Sequence, residues 1–191
     1  MQKTEIVPTK KIISTIELPG SKSYTNRALI ISGLAKGKSV LENVLLSQDI
    51  FYLVEALKKF KVKIEKIQKN FEVHGGLKRI KSPSEKLYLG GSGTGIRLLT
   101  SFACLSRGEV ILEGNKRLNK RPIYDLIKAL NELGLNVSSL NKRYPPVKIK
   151  NGEFRGGSCK IKGDISSQFF ISIMLISPYA KNDVNIKVIG K

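Results

Sequence analysis

A spacing of 71 to 72 residues recurs along this chain and narrows the folds open to it. Gly20 stands 71 positions before Gly91, Gly91 stands 72 before Gly163, and Gly37 stands 71 before Gly108. The element order read from hydrophobic period and turn residues repeats with it. A first unit reads as helix 26–35, strand 39–44, a helix capped by Ser47, and strands 62–67 and 71–74, linked through Asn70. In its first helix Ala28, Leu29, Ile30, Ile31 and Leu34 form the expected buried side. A second unit reads as strand 87–89, a glycine-rich loop 91–95, helix 96–105 and strand 110–113. It continues with a helix that has Pro122 at its first position and Gly134 at its end, then strands 136–140 and 147–150. A third begins with strand 158–162, loop 163–167, helix 168–176 and strand 184–189, where the sequence stops. Solenoid repeats have periods of about 20 to 50 residues, so this longer period is not of that kind. The expectation is an α/β (α+β) protein of βαβαββ units in pseudo-threefold packing, with units at about 19–83, 84–156 and an incomplete 157–191. Each unit brings a polar loop and a helix start to the same end, where the helix dipoles add at one anion-binding face.

Ahead of these units, two strand patterns at 5–7 and 12–18 flank Pro8, and Pro19-Gly20 then breaks the chain sharply. The 34 Lys and Arg against 15 Asp and Glu give a formal charge of +19, which favours anionic partners. The lysines are scattered through sheet and helix patterns without a dense basic tail or interleaved aromatics. They read as a solvated surface plus one anion site, with nucleic acid an unlikely partner. Cys104 and Cys159 lie far apart and read as core thiols of a reducing compartment. The single histidine, His74, reads as the cap of a strand end, and one histidine builds no metal cluster at ligand spacing. The start MQKTEIVPTKK has no apolar signal core, and FFISIMLI is too short to span a bilayer, so a cytoplasmic location away from membranes is expected.

The three loops differ in content, which points to a composite site. The first, in Gly20 to Leu29, carries Lys22, Ser23 and Arg27. Lys22 and Ser23 are placed on the turn, and free backbone N–H groups at the following helix start suit an anion. Arg27 adds a group able to grip phosphate or carboxylate with two bonds. The second loop offers Gly91-Ser92-Gly93-Thr94-Gly95, where absent side chains let backbone N–H groups approach a ligand. The third offers Ser166, Ser167 and Gln168, and Arg121 stands before Pro122. Taken singly each has a plainer reading. The serines serve as helix caps, and Arg121, like Lys116, Arg117 and Lys120, as solvated surface. The glycine loop is no Walker A motif, because no Gly-Lys-Ser/Thr follows it at the required spacing. Their recurrence at equivalent repeat positions favours the functional reading.

The segments LPGSKSYTNRAL, LGGSGTGIR, NKRPIYDL and GDISSQF resemble, in order, four signature regions of the EPSP synthase family, the 3-phosphoshikimate carboxyvinyltransferases. The resemblance covers the chain from Ile12 onward. A sister transferase acting on a UDP-sugar shares the fold but lacks this set. RNA terminal phosphate cyclases share related repeats and are the alternative that the basic charge favours. The resemblance implies two domains of three βαβαββ units each, an inverse barrel of the enolpyruvyl transferase kind, with substrates closing the cleft between them. Residues 1–18 then belong to the second, carboxy-terminal domain, and 19–191 to the amino-terminal one. It implies attack of the 5-hydroxyl of shikimate 3-phosphate on carbon two of phosphoenolpyruvate with protonation of carbon three. Phosphate is then lost from the tetrahedral intermediate, with no metal or organic cofactor. By matching motif, Lys22 contacts both substrates and stabilises charge as the intermediate forms. Ser23, Arg27, Ser166, Ser167 and Gln168 hold shikimate 3-phosphate, while the Gly93 backbone, Arg121 and Gln168 hold phosphoenolpyruvate. Gly91 stands for the family's usual Asn and Leu98 for its usual Pro, beside the loop that governs affinity for phosphoenolpyruvate and the inhibitor glyphosate. Family members are more than twice as long. The chain is therefore expected to be a fragment that lacks the acid and base of the missing carboxy-terminal domain and is inactive alone.

Overall fold

The computed structural model describes residues 3–5, 7–8, 11–150 and 152–190. Its first unit runs α1 (Lys22–Leu34), β1 (Gly37–Leu41), α2 (Gln48–Lys59), β2 (Lys63–Ile67) and β3 (Asn70–Gly75). The second runs β4 (Leu87–Tyr88), α3 (Gly93–Ala103), β5 (Val110–Glu113), α4 (Tyr124–Glu132), β6 (Asn136–Asn141) and β7 (Tyr144–Lys150). The third runs β8 (Gly157–Lys162), α5 (Ser167–Ile176) and β9 (Val184–Ile189).

Pairing repeats as the sequence spacing does. β3 lies antiparallel between β1 and β2, and β7 lies antiparallel between β5 and β6. β4 joins β5 in parallel, and β8 joins β9 in parallel, each pair bridged by a helix as parallel pairing requires. The mixed α/β class and the repeated unit are therefore as expected, and the sheets are open. Pro145 and Pro146, which cannot donate to a ladder, fall inside β7, a strand expected to start only at Val147. They are accommodated because the β6–β7 register shifts between Ser139 and Asn141, and β5 pairs with β7 only at Val147, Lys148 and Ile149.

Helices α1, α3 and α5 form the middle of the core and run parallel. Gly33 lies beside Phe102 near the C-terminal ends of α1 and α3, while Thr94 meets Gln168 at the N-terminal ends of α3 and α5. Ser101 donates to Ser172 midway, at 2.9 Å, and the Tyr179 hydroxyl after α5 reaches the Leu34 carbonyl. α3 is central and buried almost all round, including Ile96, Leu98, Leu99 and Phe102, as a helix enclosed by others must be. Buried hydroxyls of α3 and α5 are paired within the core: Thr100 Oγ1 donates to the Ile96 carbonyl, and Ser172 Oγ to that of Phe169.

Several expectations need correction. Residues 12–18 form no strand; Ile12, Ile13, Ile16 and Leu18 are 75–84% exposed. Ile16 and Glu17 precede the β4 residues Leu87 and Tyr88 by one repeat, yet no strand edge receives them among the described residues. The strand expected at 5–7 includes Ile6, which lies outside the described residues, and Glu5 and Val7 are not in strand. Pro122 is not the first residue of α4, which opens at Tyr124 after Ile123 donates its amide to the Arg143 carbonyl. Ile31 is half exposed and faces away from the core that holds Leu29, Ile30 and Leu34.

Candidate functional site

Each central helix opens on a serine. The side-chain oxygens of Ser21, Ser92 and Ser166 accept from the amides of Tyr24, Gly95 and Gln168. The expected loops are therefore shorter than their motifs. Lys22 and Ser23 occupy the first turn of α1, Gly93 to Gly95 that of α3, and Ser167 and Gln168 that of α5. Among the described residues, the caps leave the first two N–H groups of each of α1 and α3, and the first of α5, without a protein acceptor. Because the helices run parallel, these donors and the positive dipole ends face one end of the molecule.

Two clusters stand there. In the larger, the half-buried Arg97 of α3 donates through Nη1 to Ser166 Oγ at 3.1 Å and to Gln168 Oε1 at 2.8 Å. Its Nη2 faces the Pro122 carbonyl at 3.5 Å, and the guanidinium lies 4.9 Å from the centre of the Phe169 ring. Gln168 Nε2 donates to Thr94 Oγ1 at 2.9 Å. Arg121 lies across Gly93 so closely that a Cβ there would be 2.2 Å from its Nη1. Burial, and then the charge of Arg121, hold the Arg97 guanidinium below its ordinary pKa, though arginine keeps its proton at neutral pH. Among the described residues neither arginine makes an ion pair. Two neighbouring cations without a carboxylate make a strongly anion-seeking surface.

The approach to this cluster is fixed from below. Gly90 turns the chain out of β4 with φ at 55°, a conformation side chains seldom adopt, and the Tyr52 ring occupies the place its Cβ would take. Tyr52 in turn meets Tyr88 edge to face, with ring centres 5.6 Å apart.

The smaller cluster belongs to α1. Lys22 Nζ lies 3.0 Å from Asp49 Oδ2 of α2, Arg27 Nη1 donates to the Ser23 carbonyl one turn back, and Asn26 Nδ2 donates to the Lys22 carbonyl. The structure thus brings Ser166 and Gln168 into one hydrogen-bonded network, with Gly93 and Arg121 packed against each other beside it. It places Lys22, Ser23 and Arg27 at the same end, but no hydrogen bond joins them to that network among the described residues. Ser167 is exposed at the first position of α5. Arg97, Thr94 and Asp49 are participants that sequence reasoning did not assign. For Arg97 the signal was available: it stands four residues after Gly93 and three after Thr94, on the same helix face.

A family model described as EPSP synthase (3-phosphoshikimate 1-carboxyvinyltransferase) matches residues 6–190. The chain belongs to the EPSP synthase family. A relative from Shewanella pealeana, named 3-phosphoshikimate 1-carboxyvinyltransferase, is 40% identical over 195 residues, covering all of this chain and 46% of the relative. One of the same name from Haemophilus influenzae is 39% identical over 199 residues, with the same coverage. The solved EPSP synthase from Acinetobacter baumannii superposes with a TM-score of 0.84 at 26% identity, over 92% of this chain and 41% of that one. The chain thus spans about half the length of these relatives. EPSP synthase membership leaves the cyclase-like alternative without support, and the fold expected from the repeats is that of an EPSP synthase. Among the described residues no helix is long and apolar enough to cross a membrane.

Proposed function

We propose that this chain is the amino-terminal part of an EPSP synthase. The complete protein would transfer the enolpyruvyl group of phosphoenolpyruvate to the 5-hydroxyl of shikimate 3-phosphate in the cytoplasm. The hydroxyl gives its proton to a base as its oxygen bonds to carbon two and carbon three gains a proton from an acid; carbon two then expels phosphate as carbon three loses a proton. In this reading Ser23, Arg27, Ser166, Ser167 and Gln168 hold shikimate 3-phosphate. The Gly93 amide, Arg121 and Gln168 hold phosphoenolpyruvate. Lys22 exchanges its contact with Asp49 for the substrates and stabilises the charge that develops between them. Residues 19–191 form the substrate domain, and 1–18 join a carboxy-terminal domain that closes over it.

The observation that carries the reading is the pair Arg97 and Arg121, without a carboxylate partner among the described residues, between the glycine-rich start of α3 and the Ser166-capped start of α5. Family membership supplies the identity of the anions. Titrating shikimate 3-phosphate into the 191-residue chain and following amide shifts tests it. Shifts at Lys22, Ser23 and Ser166–Gln168 are expected, and none at millimolar ligand refutes it. Proton transfer needs a positioned acid and base, which the family resemblance assigns to the other domain. The chain alone should therefore release no phosphate from the two substrates until the complementary half is added.

A further inference from the structure

Those substrate assignments leave out the cation most deeply engaged by protein. Arg97 is anchored on three sides: by Ser166 and Gln168, by the Pro122 carbonyl, and by the face of Phe169. No hydrogen bond joins the neighbouring Arg121 guanidinium to a protein acceptor among the described residues. Two arginines side by side thus have different attachments.

What Arg97 does to its partners follows from their hydrogen-bonding capacity. A carboxamide can be turned end for end, but that of Gln168 is clamped at both ends. Its oxygen accepts from Arg97 at 2.8 Å, and its nitrogen donates to Thr94 at 2.9 Å. Ser166 Oγ accepts from Arg97 and, at 3.3 Å, from the Gln168 amide. Both lone pairs of that hydroxyl are occupied, so its proton remains to be given to a ligand. The position one repeat earlier behaves alike. Asn26, 71 residues before Arg97, is fully buried and braces the start of its own helix by donating to the Lys22 carbonyl at 2.8 Å.

We propose that Arg97 is a positioning residue. It holds the Ser166 hydroxyl and the Gln168 amide toward the phosphorylated alcohol and leaves Arg121 to meet the second anion. The assignment of ligands rests on the function proposed above; the brace itself does not. Arg97 thereby ties the second repeat unit to the third.

The test has a ligand-free arm and a binding arm, both on the 191-residue chain. Without ligand, Arg97→Ala should speed amide hydrogen exchange at Gln168 and Phe169 by about tenfold, the scale of a lost charge-assisted bond, and leave Tyr24 and Thr25 of α1 unchanged. Arg97→Lys keeps charge and bulk but lacks the planar fork that meets two acceptors; it should also loosen these amides, and it serves if the alanine variant does not fold. With shikimate 3-phosphate, Arg97→Ala and Gln168→Ala should each weaken binding by about tenfold, and the double variant by far less than a hundredfold, because the first acts through the second. Unchanged exchange at α5 in the Arg97 variants, or full restoration by lysine, overturns the brace whatever the ligand result. Additive losses in binding also overturn it, by making Arg97 a direct ligand. If the unaltered chain binds no shikimate 3-phosphate, the function proposed above fails, and the exchange arm alone decides for or against the brace.

Discussion

Gly93→Ala separates the two anions that this face is proposed to hold. Gly93 is the first residue of α3, its backbone is not in the left-handed region, and alanine fits that conformation without strain. The added methyl carbon would stand 2.2 Å from Arg121 Nη1 and 3.3 Å from its Cδ and Cζ. No backbone atom lies among these closest neighbours, so the guanidinium at the end of a flexible side chain must swing away. The fold loses little. Alanine is favoured over glycine within helices by roughly 0.5–1 kcal/mol, less at a first position, and thermal stability should stay level or rise slightly. Binding of phosphoenolpyruvate loses the charge-assisted bond from Arg121, roughly 1.5–3 kcal/mol, or about ten- to a hundredfold in affinity. Because Arg121 is half exposed, the lower end is expected. Shikimate 3-phosphate, which in the proposed reading is held by Ser166 and Gln168, should bind within about twofold of the unaltered chain, well under one hydrogen bond's worth. Amide shifts followed in separate titrations with the two ligands, beside a melting curve, give all three quantities. Equal losses for both ligands would refute the division of the site. Unchanged phosphoenolpyruvate binding would refute the role of Arg121.

Two positions on, the same substitution should do the opposite. A Cβ on Gly95 would stand 2.6 Å from Ser92 Oγ, which is fully buried and accepts the Gly95 amide, so Gly95→Ala should cost about 1–2 kcal/mol of stability through the lost cap, measured by urea unfolding. Asp49→Asn releases Lys22 from a partly exposed ion pair of the kind worth roughly 0.2–1 kcal/mol, so inorganic phosphate should bind about two- to fivefold tighter at low salt, an effect that high salt removes. Weaker phosphate binding would instead make Asp49 the residue that aims Lys22. Burial, and secondarily Glu132, push the Cys159 thiol up to about 11, and burial pushes Cys104 up as well. Since thiols of the unfolded chain ionise near about 8.5, the unfolded state sheds protons first and stability should fall as pH rises above that value. Replacing both cysteines by alanine should flatten this decline, and an unchanged slope between neutral and alkaline unfolding curves would count against it.

Legibility in the sequence followed how local each determinant is. Ser47 before an amphipathic run, Val110–Glu113 and Val184–Ile189 were readable because caps and strand patterns need only near neighbours. The repeat was readable because its glycines sit where side chains are excluded for differing local reasons: a Cβ on Gly20 would collide with the Asn43 carbonyl, while Gly37 and Gly108 have positive φ. The alternating segment 12–18 has a strand's pattern, but pattern cannot supply a partner edge, and none receives it among the described residues. Gly-Ser-Lys-Ser has the composition of a turn, because glycine and serine favour turns; the α1 helix instead starts at once, with Ser21 as cap and buried Asn26 holding the Lys22 carbonyl. The serine caps and the glycine-rich start of α3 were legible in the loops. The place of Arg97 on the Gly93 face was readable from spacing, but the bonds of Arg97, Thr94 and Asp49 to Gln168 and Lys22 were not, since each crosses a gap in sequence that spacing alone does not close.

The central place of α3 also sets a timetable. The helix that covers the inner face of α1 ends about 70 residues after α1 does, an interval that ribosomes take roughly 4 to 14 seconds to traverse. Throughout that interval Leu29, Ile30 and Leu34 have α2 and β3 to lean on but lack α3, and Phe60 waits for Phe102, whose ring it later meets at 5.3 Å. A nascent first unit is therefore a sticky intermediate. The chain's exposure to misassociation is greatest before its middle has been made, and a ribosome pause between residues 76 and 92 would lengthen it.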